Sequence, residues 1–448
     1  MRIFTKINLK GDLVASLATF AGLAIVKFAS SLILTRILLP DAYGIITILM
    51  SVSLTLALLS DVGTYTSIVR APNGESPTYL NTAWTIRFAR SVLNATIMFF
   101  ATPVIVHLFG TPALAAPLRV FALWFLIDAL ESNSVPIAAR KKNTRVVVYS
   151  DLIATVVSTA FTVIYCYFHR TFWGMVYGLL LNRALFVSFS YFFYRDFRPR
   201  FGFDRSAARD ILQFTRFVMP SSVLTLVLSQ FDKAVFLRFF DLRLLGIYGV
   251  ASNIAGQVES LISRTSEMVV YPRCAHNFRA DPNTFAEKYY TDNVRVFAVT
   301  GGMAAAVGGA AQLIISVLYD PRYALAGVVL QTVMIRAVLL SLASPAETML
   351  IAAGQSHVIL VSNIYRAISI VLGSIAGFYA FGFIGFLYGM ALSGLPPAVY
   401  LLLRQKKIGS PVLRYELYRA AYMAVIAIAA FVTSRTIMTM FHVSKLKI

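Results

Sequence analysis

Runs of about twenty or more predominantly apolar residues follow one another along this chain, Leu13 to Leu34 and Tyr43 to Val69 being the first two. A run of that length crosses a hydrocarbon core about 30 Å thick as a helix, whereas a barrel strand would alternate over about ten residues. In lipid every backbone N–H and C=O must be satisfied within the segment, so the runs are read as membrane-spanning helices. Hydrophobic residues make up 58% of the 448, far more than a soluble core needs. The N-terminal MRIFTKINLK and its following apolar run have the outline of a secretion signal. That run is too long, and TRILLPDAYG offers no small-residue cleavage site, so it is kept as the first span.

A net charge of +20 raises the question of a nucleic-acid or anionic-surface partner. Its placement answers that question. Spans are expected at 13–35, 43–69, 91–110, 117–139, 146–168 and 172–194, then at 217–240, 245–270, 294–319, 325–352, 357–381 and 383–403, with a thirteenth candidate at 420–440. With the N-terminus in the cytoplasm, 25 of the 40 Lys and Arg fall in inner segments and 7 in outer ones. The excess is the positive-inside bias, and no nucleic-acid partner is expected. Cys166 and Cys274 fall on opposite sides in this topology and are not expected to pair. The inner segments RDFRPRFGFDRSAARD and RCAHNFRADPNTFAEKYYTDN mix aromatics with Arg, as segments lying on a membrane surface do, although a solvated loop has the same composition.

The chain also repeats itself. IVKFASSLILTRILLPDAYG, which ends at Gly44, is echoed by the stretch from Leu228 to Gly249, LSQFDKAVFLRFFDLRLLGIYG. Each carries a Lys late in an apolar run, Lys27 and Lys233, then an Arg, then a loop closing on Tyr-Gly. FWGMVYGLLL from Phe172 is matched by FIGFLYGMAL from Phe383, and VPIAARKKN from Val135 more weakly by MLIAAGQSH from Met349. Six spans per half return each half to the same side. The halves are therefore read as parallel repeats, an arrangement found in transporters whose site lies between them near mid-membrane. The expected divisions are 1–205 for spans one to six, 206–405 for spans seven to twelve, and 406–448 for a basic linker and the thirteenth candidate.

The runs KFASSLILTRILLPDAYGIITILM and LLSDVGTYTSIVR, with SQFDKAVFLRFF, LLGIYGVASNI and SRTSEMVVYPR in the second half, resemble polysaccharide-export flippases. These belong to the multidrug, oligosaccharidyl-lipid and polysaccharide exporter superfamily. The resemblance covers Gly11 to about Arg404. It implies an all-α polytopic membrane protein of two parallel six-helix lobes, MATE-like with twelve spans, plus the extra C-terminal span. It further implies alternating access and a cargo of undecaprenyl-diphosphate-linked oligosaccharide, moved across the bacterial inner membrane. Membrane lipids, glycosyltransferases and a polysaccharide polymerase are the implied partners.

Ionisable residues inside spans are functional candidates because each costs about 2.5–3.5 kcal/mol to insert. Lys27 and Lys233 sit at similar depth in the two repeats. A desolvated ammonium suits a diphosphate. The competing readings are that Lys27 snorkels and that Asp232 neutralises Lys233. Arg183, Arg264, Arg336 and Arg366 are further candidates for phosphate or acidic sugars, with interhelical ion pairs as the rival role. The resemblance places Arg264 beside the lateral opening. Glu259, mid-span, and Asp128 with Glu131, three apart on one helix face, are candidates for H+ or Na+ coupling, with structural pairing as the alternative. Asp61 reads as a cap or packing residue. Gly301, Gly302, Gly308 and Gly309 allow close packing or bending of the ninth span, and Pro220, Pro396 and Pro397 interrupt helical hydrogen bonding.

Two other functions fit a chain of this class. An ion-coupled drug exporter would share the fold. A polytopic enzyme of polysaccharide synthesis would need chemistry that is missing here: there is no DxD, HExxH or GxxxxGK[ST] motif, no metal constellation among five histidines, and no large external loop. Neither a catalytic residue nor a metal site is expected.

Overall fold

The computed structural model describes residues 9–141, 145–192, 197–282, 284–355, 357–408 and 412–440. Arg2, Lys6, Lys142, Arg195, Lys445 and Lys447, counted above for topology, lie outside the described residues. All regular structure among the described residues is helical. The chain divides into two compact units, Met1–Leu226 and Val227–Ile448. The first contains α1 (Leu9–Ile37), α2 (Pro40–Leu59), α3 (Thr64–Arg70), α4 (Pro77–Phe109), α5 (Ala115–Ala129), α6 (Ser134–Arg140), α7 (Arg145–His169), α8 (Trp173–Phe192) and the first two thirds of α9 (Arg205–Phe239). The second contains the rest of α9, then α10 (Leu242–Thr265), α11 (Tyr271–Ala280), α12 (Phe285–Gly309), α13 (Ala311–Leu318), α14 (Ala326–Ala352), α15 (His357–Leu392), α16 (Leu395–Lys407) and α17 (Val412–Met440). A π-helical turn, Ser266–Val270, joins α10 to α11.

Eight helices among the described residues are long and apolar enough to cross a membrane, or nine if the bent pair α12 and α13 forms one span. Several expected spans are divided. The second breaks between α2 and α3, where Gly63 is left-handed (φ 68°) and its N–H donates to Asp61 Oδ1 at 2.9 Å. Asp61 also accepts from Arg90 Nη1 at 3.4 Å. The fourth becomes α5 and α6. The ninth bends by 64° after Gly309. The third starts earlier than its apolar run, because Pro77 opens α4 and the Ser76 hydroxyl accepts from Tyr79 N. Its 33 residues measure about 50 Å, so its first turns stand outside a hydrocarbon core of about 30 Å.

The repeated glycine motif has one packing role in both units. In the first, α7 and α8 form a tight hairpin: a Cβ on Gly178 would overlap Thr162 Oγ1, and one on Gly174 would stand 2.5 Å from Cys166 Sγ. In the second, α15 folds back on itself at Phe381 and Gly382. Gly373 meets Gly389 and Gly377 meets Gly385, backbone against backbone, so neither pair has room for a methyl group. Gly174 and Gly178 align with Gly385 and Gly389 in the two matched segments.

The last helix is an integral part of the second unit. α17 packs on α12, where Cβ atoms on Gly301, Gly302 and Gly309 would run into Met423, Tyr422, and Ala427 with Ala430 respectively. Arg419 Nη2 donates to Ser341 O of α14 at 2.7 Å, and Arg419 Nη1 pairs with Glu416 at 2.6 Å. The glycines of the ninth span therefore both seat a neighbour and precede a bend.

Candidate functional site: a charged cavity in the second unit

Four helices of the second unit converge on a cavity of about 290 Å³ that combines ionised and apolar side chains. α9 contributes Asp232 and Lys233, α10 contributes Glu259, α14 contributes Arg336, and α15 contributes Arg366. α9 and α10 are absent from the eight strongly apolar helices. Polar residues such as Ser229 and Ser252 lower their hydropathy and face this space.

The charges are organised in two pairs and one single. Lys233 Nζ donates to Ser229 O one turn back (2.7 Å) and to Asp232 Oδ1 (3.5 Å). The other carboxylate oxygen, Oδ2, accepts from the buried Tyr248 hydroxyl at 2.5 Å, which ties α9 to α10. Arg336 grips Glu259 with two prongs, Nε to Oε1 at 2.8 Å and Nη2 to Oε2 at 3.2 Å. This planar fork is the strong, geometrically specific form of a charge-assisted hydrogen bond. Arg366 has no hydrogen bond and no carboxylate within 4.0 Å among the described residues. Glu347 of α14 attracts it electrostatically from further away, while Arg336 repels it. Three cations therefore line the cavity against two carboxylates, and the unpaired one is an arginine.

The first unit treats its charges differently. Arg87 of α4 donates to Glu131 Oε2 at 2.6 Å and to Asp128 Oδ1 at 3.4 Å. Arg183 of α8 bonds to both carboxylates and lies over the rings of Trp124 and Phe186. Ser91 Oγ donates to Asp128 Oδ2, and Trp84 Nε1 donates to the backbone carbonyl of Glu131. Asp128 and Glu131 are 7% and 6% exposed, so the network is closed and internally neutral.

The residues singled out from sequence thus fall into three groups. Lys233, Glu259, Arg336 and Arg366 meet in one cavity. Arg183, Asp128 and Glu131 meet in the closed network, whose partner Arg87 counts among the inner-segment charges of the expected topology because its span is expected to begin at 91. The remaining two belong to neither group. Lys27 is exposed on α1 and makes no ion pair among the described residues. Arg264, in the last turn of α10, bonds Ser260 Oγ through Nε at 3.2 Å and does not line the cavity. Sequence reasoning also missed Tyr248. Its place sixteen residues after Asp232, in the Tyr-Gly that closes the echo, was the available signal.

A helical bundle with eight or nine helices, among the described residues, long and apolar enough to cross a membrane defines the class of an α-helical polytopic membrane protein. Its backbone is similar to that of a solved lipid II flippase MurJ in an inward closed conformation, with TM-score 0.70, 13% identity, and coverage of 96% of this chain and 100% of that one. It is also similar to an inward-facing multidrug resistance MATE family transporter of the MOP superfamily, with TM-score 0.65, 14% identity, and coverage of 86% and 95%. At such identities the likeness establishes the fold. Residues 33–326 match the family model described as Polysaccharide biosynthesis protein, and the chain belongs to that family. It is 22% identical over 246 residues to the succinoglycan biosynthesis transport protein ExoT of Rhizobium meliloti (strain 1021), covering 55% of this chain. The match spans about half (49%) of that relative's length. It is 21% identical over 294 residues to the amylovoran biosynthesis protein AmsL of Erwinia amylovora, covering 65% of this chain and 76% of that one.

Proposed function

We propose that this protein carries a lipid-linked oligosaccharide, held on undecaprenyl diphosphate, from the cytoplasmic to the periplasmic leaflet of a bacterial inner membrane. Its N-terminus lies in the cytoplasm, and it works by alternating access without making or breaking covalent bonds. Glycosyltransferases supply the cargo, a polysaccharide polymerase consumes it, and an H+ or Na+ gradient drives the cycle.

The observation that carries this reading is Arg366. Leaving a cation unpaired among apolar helices is costly unless a ligand supplies the missing anion. A guanidinium offers a fork that fits phosphate or an acidic sugar. Family membership supports a polysaccharide-related cargo. The cavity volume lies at the small end of the roughly 300–1,000 Å³ typical of ligand pockets, which suits a charged head group with the lipid and the remaining sugars outside it. A cationic drug would instead meet three positive charges.

The test is Arg366→Gln combined with Lys233→Gln in the producing strain. Each charge-assisted contact is worth about 1.5–3 kcal/mol, so export should fall by about tenfold or more at normal protein level. Cargo should accumulate on the inner leaflet. Parental export would overturn the reading, and a change in drug sensitivity with glycan unaffected would replace it with the exporter reading.

A further inference from the structure

A carrier must release what it binds. An unopposed cluster of Lys233, Arg336 and Arg366 would hold a diphosphate tightly, and binding strong enough to load such a site retards its emptying. The cavity contains an answer to this problem. The Nε–Nη2 edge of Arg336, the edge that a phosphate would grip with two bonds, is already occupied by both oxygens of Glu259. That carboxylate lies in the place of a ligand anion, and its contacts are those a phosphate would make.

We infer that Glu259 is a release residue: cargo displaces it from Arg336 on entry, and its return to the fork helps to expel the cargo. This rests on the anionic-cargo reading above. The local structure permits the exchange. Both partners border the cavity, and their side chains are 25% and 20% exposed to it, so the pair parts without unfolding either helix. The open site beside it is Arg366, whose charge is felt by Arg336. An anion arriving on Arg366 therefore lands next to the occupied fork and competes with Glu259 for it. Asp232 does not share this role. Its second oxygen is held by the buried Tyr248 hydroxyl, which keeps it fixed between α9 and α10. The closed network of the first unit offers no comparable exchange, because Arg87 and Arg183 both lie on the same two carboxylates and the neighbouring Arg90 is paired with Asp61.

The experiment measures inorganic pyrophosphate binding to the full chain purified in detergent, alongside glycan export in cells. Glu259→Gln preserves shape and removes the competing charge. It should bind pyrophosphate about tenfold more tightly while exporting glycan several-fold more slowly. A residue with a purely structural role would lower both together. Glu259→Gln with Arg336→Gln replaces a neutral pair by a neutral pair, leaves no orphan charge to compromise folding, and should bind within about threefold of wild type. The inference is overturned if Glu259→Gln binds no more tightly than wild type while Arg366→Gln still weakens binding. A loss of tenfold or more in the double variant overturns it as well, since Arg336 would then be contacting the anion unopposed. If wild type takes up no pyrophosphate and Arg366→Gln exports normally, the cargo reading itself falls and this inference with it.

Discussion

The two glycine hairpins should respond differently to the same substitution, because different atoms limit them. A methyl on Gly178 would collide with Thr162 Oγ1, while Thr162 Cβ would be 3.1 Å away and Ser158 O 3.5 Å away. The obstacle is one side-chain oxygen, which is otherwise spent on a bond to Ser158 O in its own helix (2.8 Å). Overpacking of this kind costs about 1–3 kcal/mol, and the helix preference for Ala over Gly returns about 1. Gly178→Ala should therefore destabilise by up to about 2 kcal/mol, and adding Thr162→Ala should recover most of that loss. Gly377→Ala has no such remedy. Its methyl would meet the carbonyl of Gly385, with Gly385 C at 2.7 Å and Phe386 N at 3.3 Å, all of it backbone. The two arms of α15 must then move apart, and the cost should reach about 3 kcal/mol or more. All three tryptophans lie in the first unit, and Trp173 opens α8. Tryptophan fluorescence during thermal unfolding in detergent thus reads the Gly178 cycle directly, and size-exclusion profiles after heating read Gly377→Ala. Equal destabilisation by Gly178→Ala with and without Thr162→Ala would refute the contact reasoning.

Three further outcomes are expected. Lys233→Gln should lower glycan export several-fold at normal protein level, and adding Lys27→Gln, a side chain exposed on α1, should change it little further; abolition of export by Lys27→Gln alone would refute that separation. Arg183→Ala should lower protein abundance in membrane fractions, because it leaves two buried carboxylates sharing one arginine at a cost of about 3–5 kcal/mol; Arg183→Ala with Asp128→Asn should restore part of it. A reporter fused after Met440 should be active on the periplasmic side if α17 is a thirteenth crossing from a cytoplasmic N-terminus, and a cytoplasmic signal would refute that count.

The helices were readable because the bilayer imposes one rule on every span: enough apolar length, with the backbone satisfied internally. The rule says little about where a span breaks. The division at Asp61 and Gly63 depends on one side-chain hydrogen bond and one left-handed glycine, and the early start of α4 depends on Ser76 with Pro77. Both signals are short and sit beside longer apolar runs that mask them. The cavity residues were visible as buried charges, but which cation finds which carboxylate is settled by helix rotation and neighbour choice. Glu259 and Arg336 are 77 residues apart and Arg87 and Glu131 are 44 apart. No local periodicity encodes either pair. The glycine motif is the opposite case, since FWGMVYG and FIGFLYG display their spacing openly and both became hairpin contacts.

The repeat makes the difference between the units informative. The glycine hairpin recurs in both units because the close approach leaves little to vary: a larger side chain meets Thr162 and Cys166 in the first unit and backbone in the second. Charge was free to diverge. In the first unit two arginines converge on Asp128 and Glu131, and both carboxylates are nearly buried, so the network resists both solvent and ligand. In the cavity of the second unit Asp232 and Glu259 are engaged one to one, and Arg366 is left over. If burial alone determined charge content, both units would have neutralised themselves, since an unpaired arginine gives stability away. Retaining one beside an exchangeable Arg336–Glu259 pair makes sense where an anion arrives and leaves in each cycle. The decisive comparison is therefore Arg366→Leu against wild type. It should raise the thermal stability of the purified protein while eliminating export, and a variant that loses stability along with export would show that Arg366 is paired in the working protein.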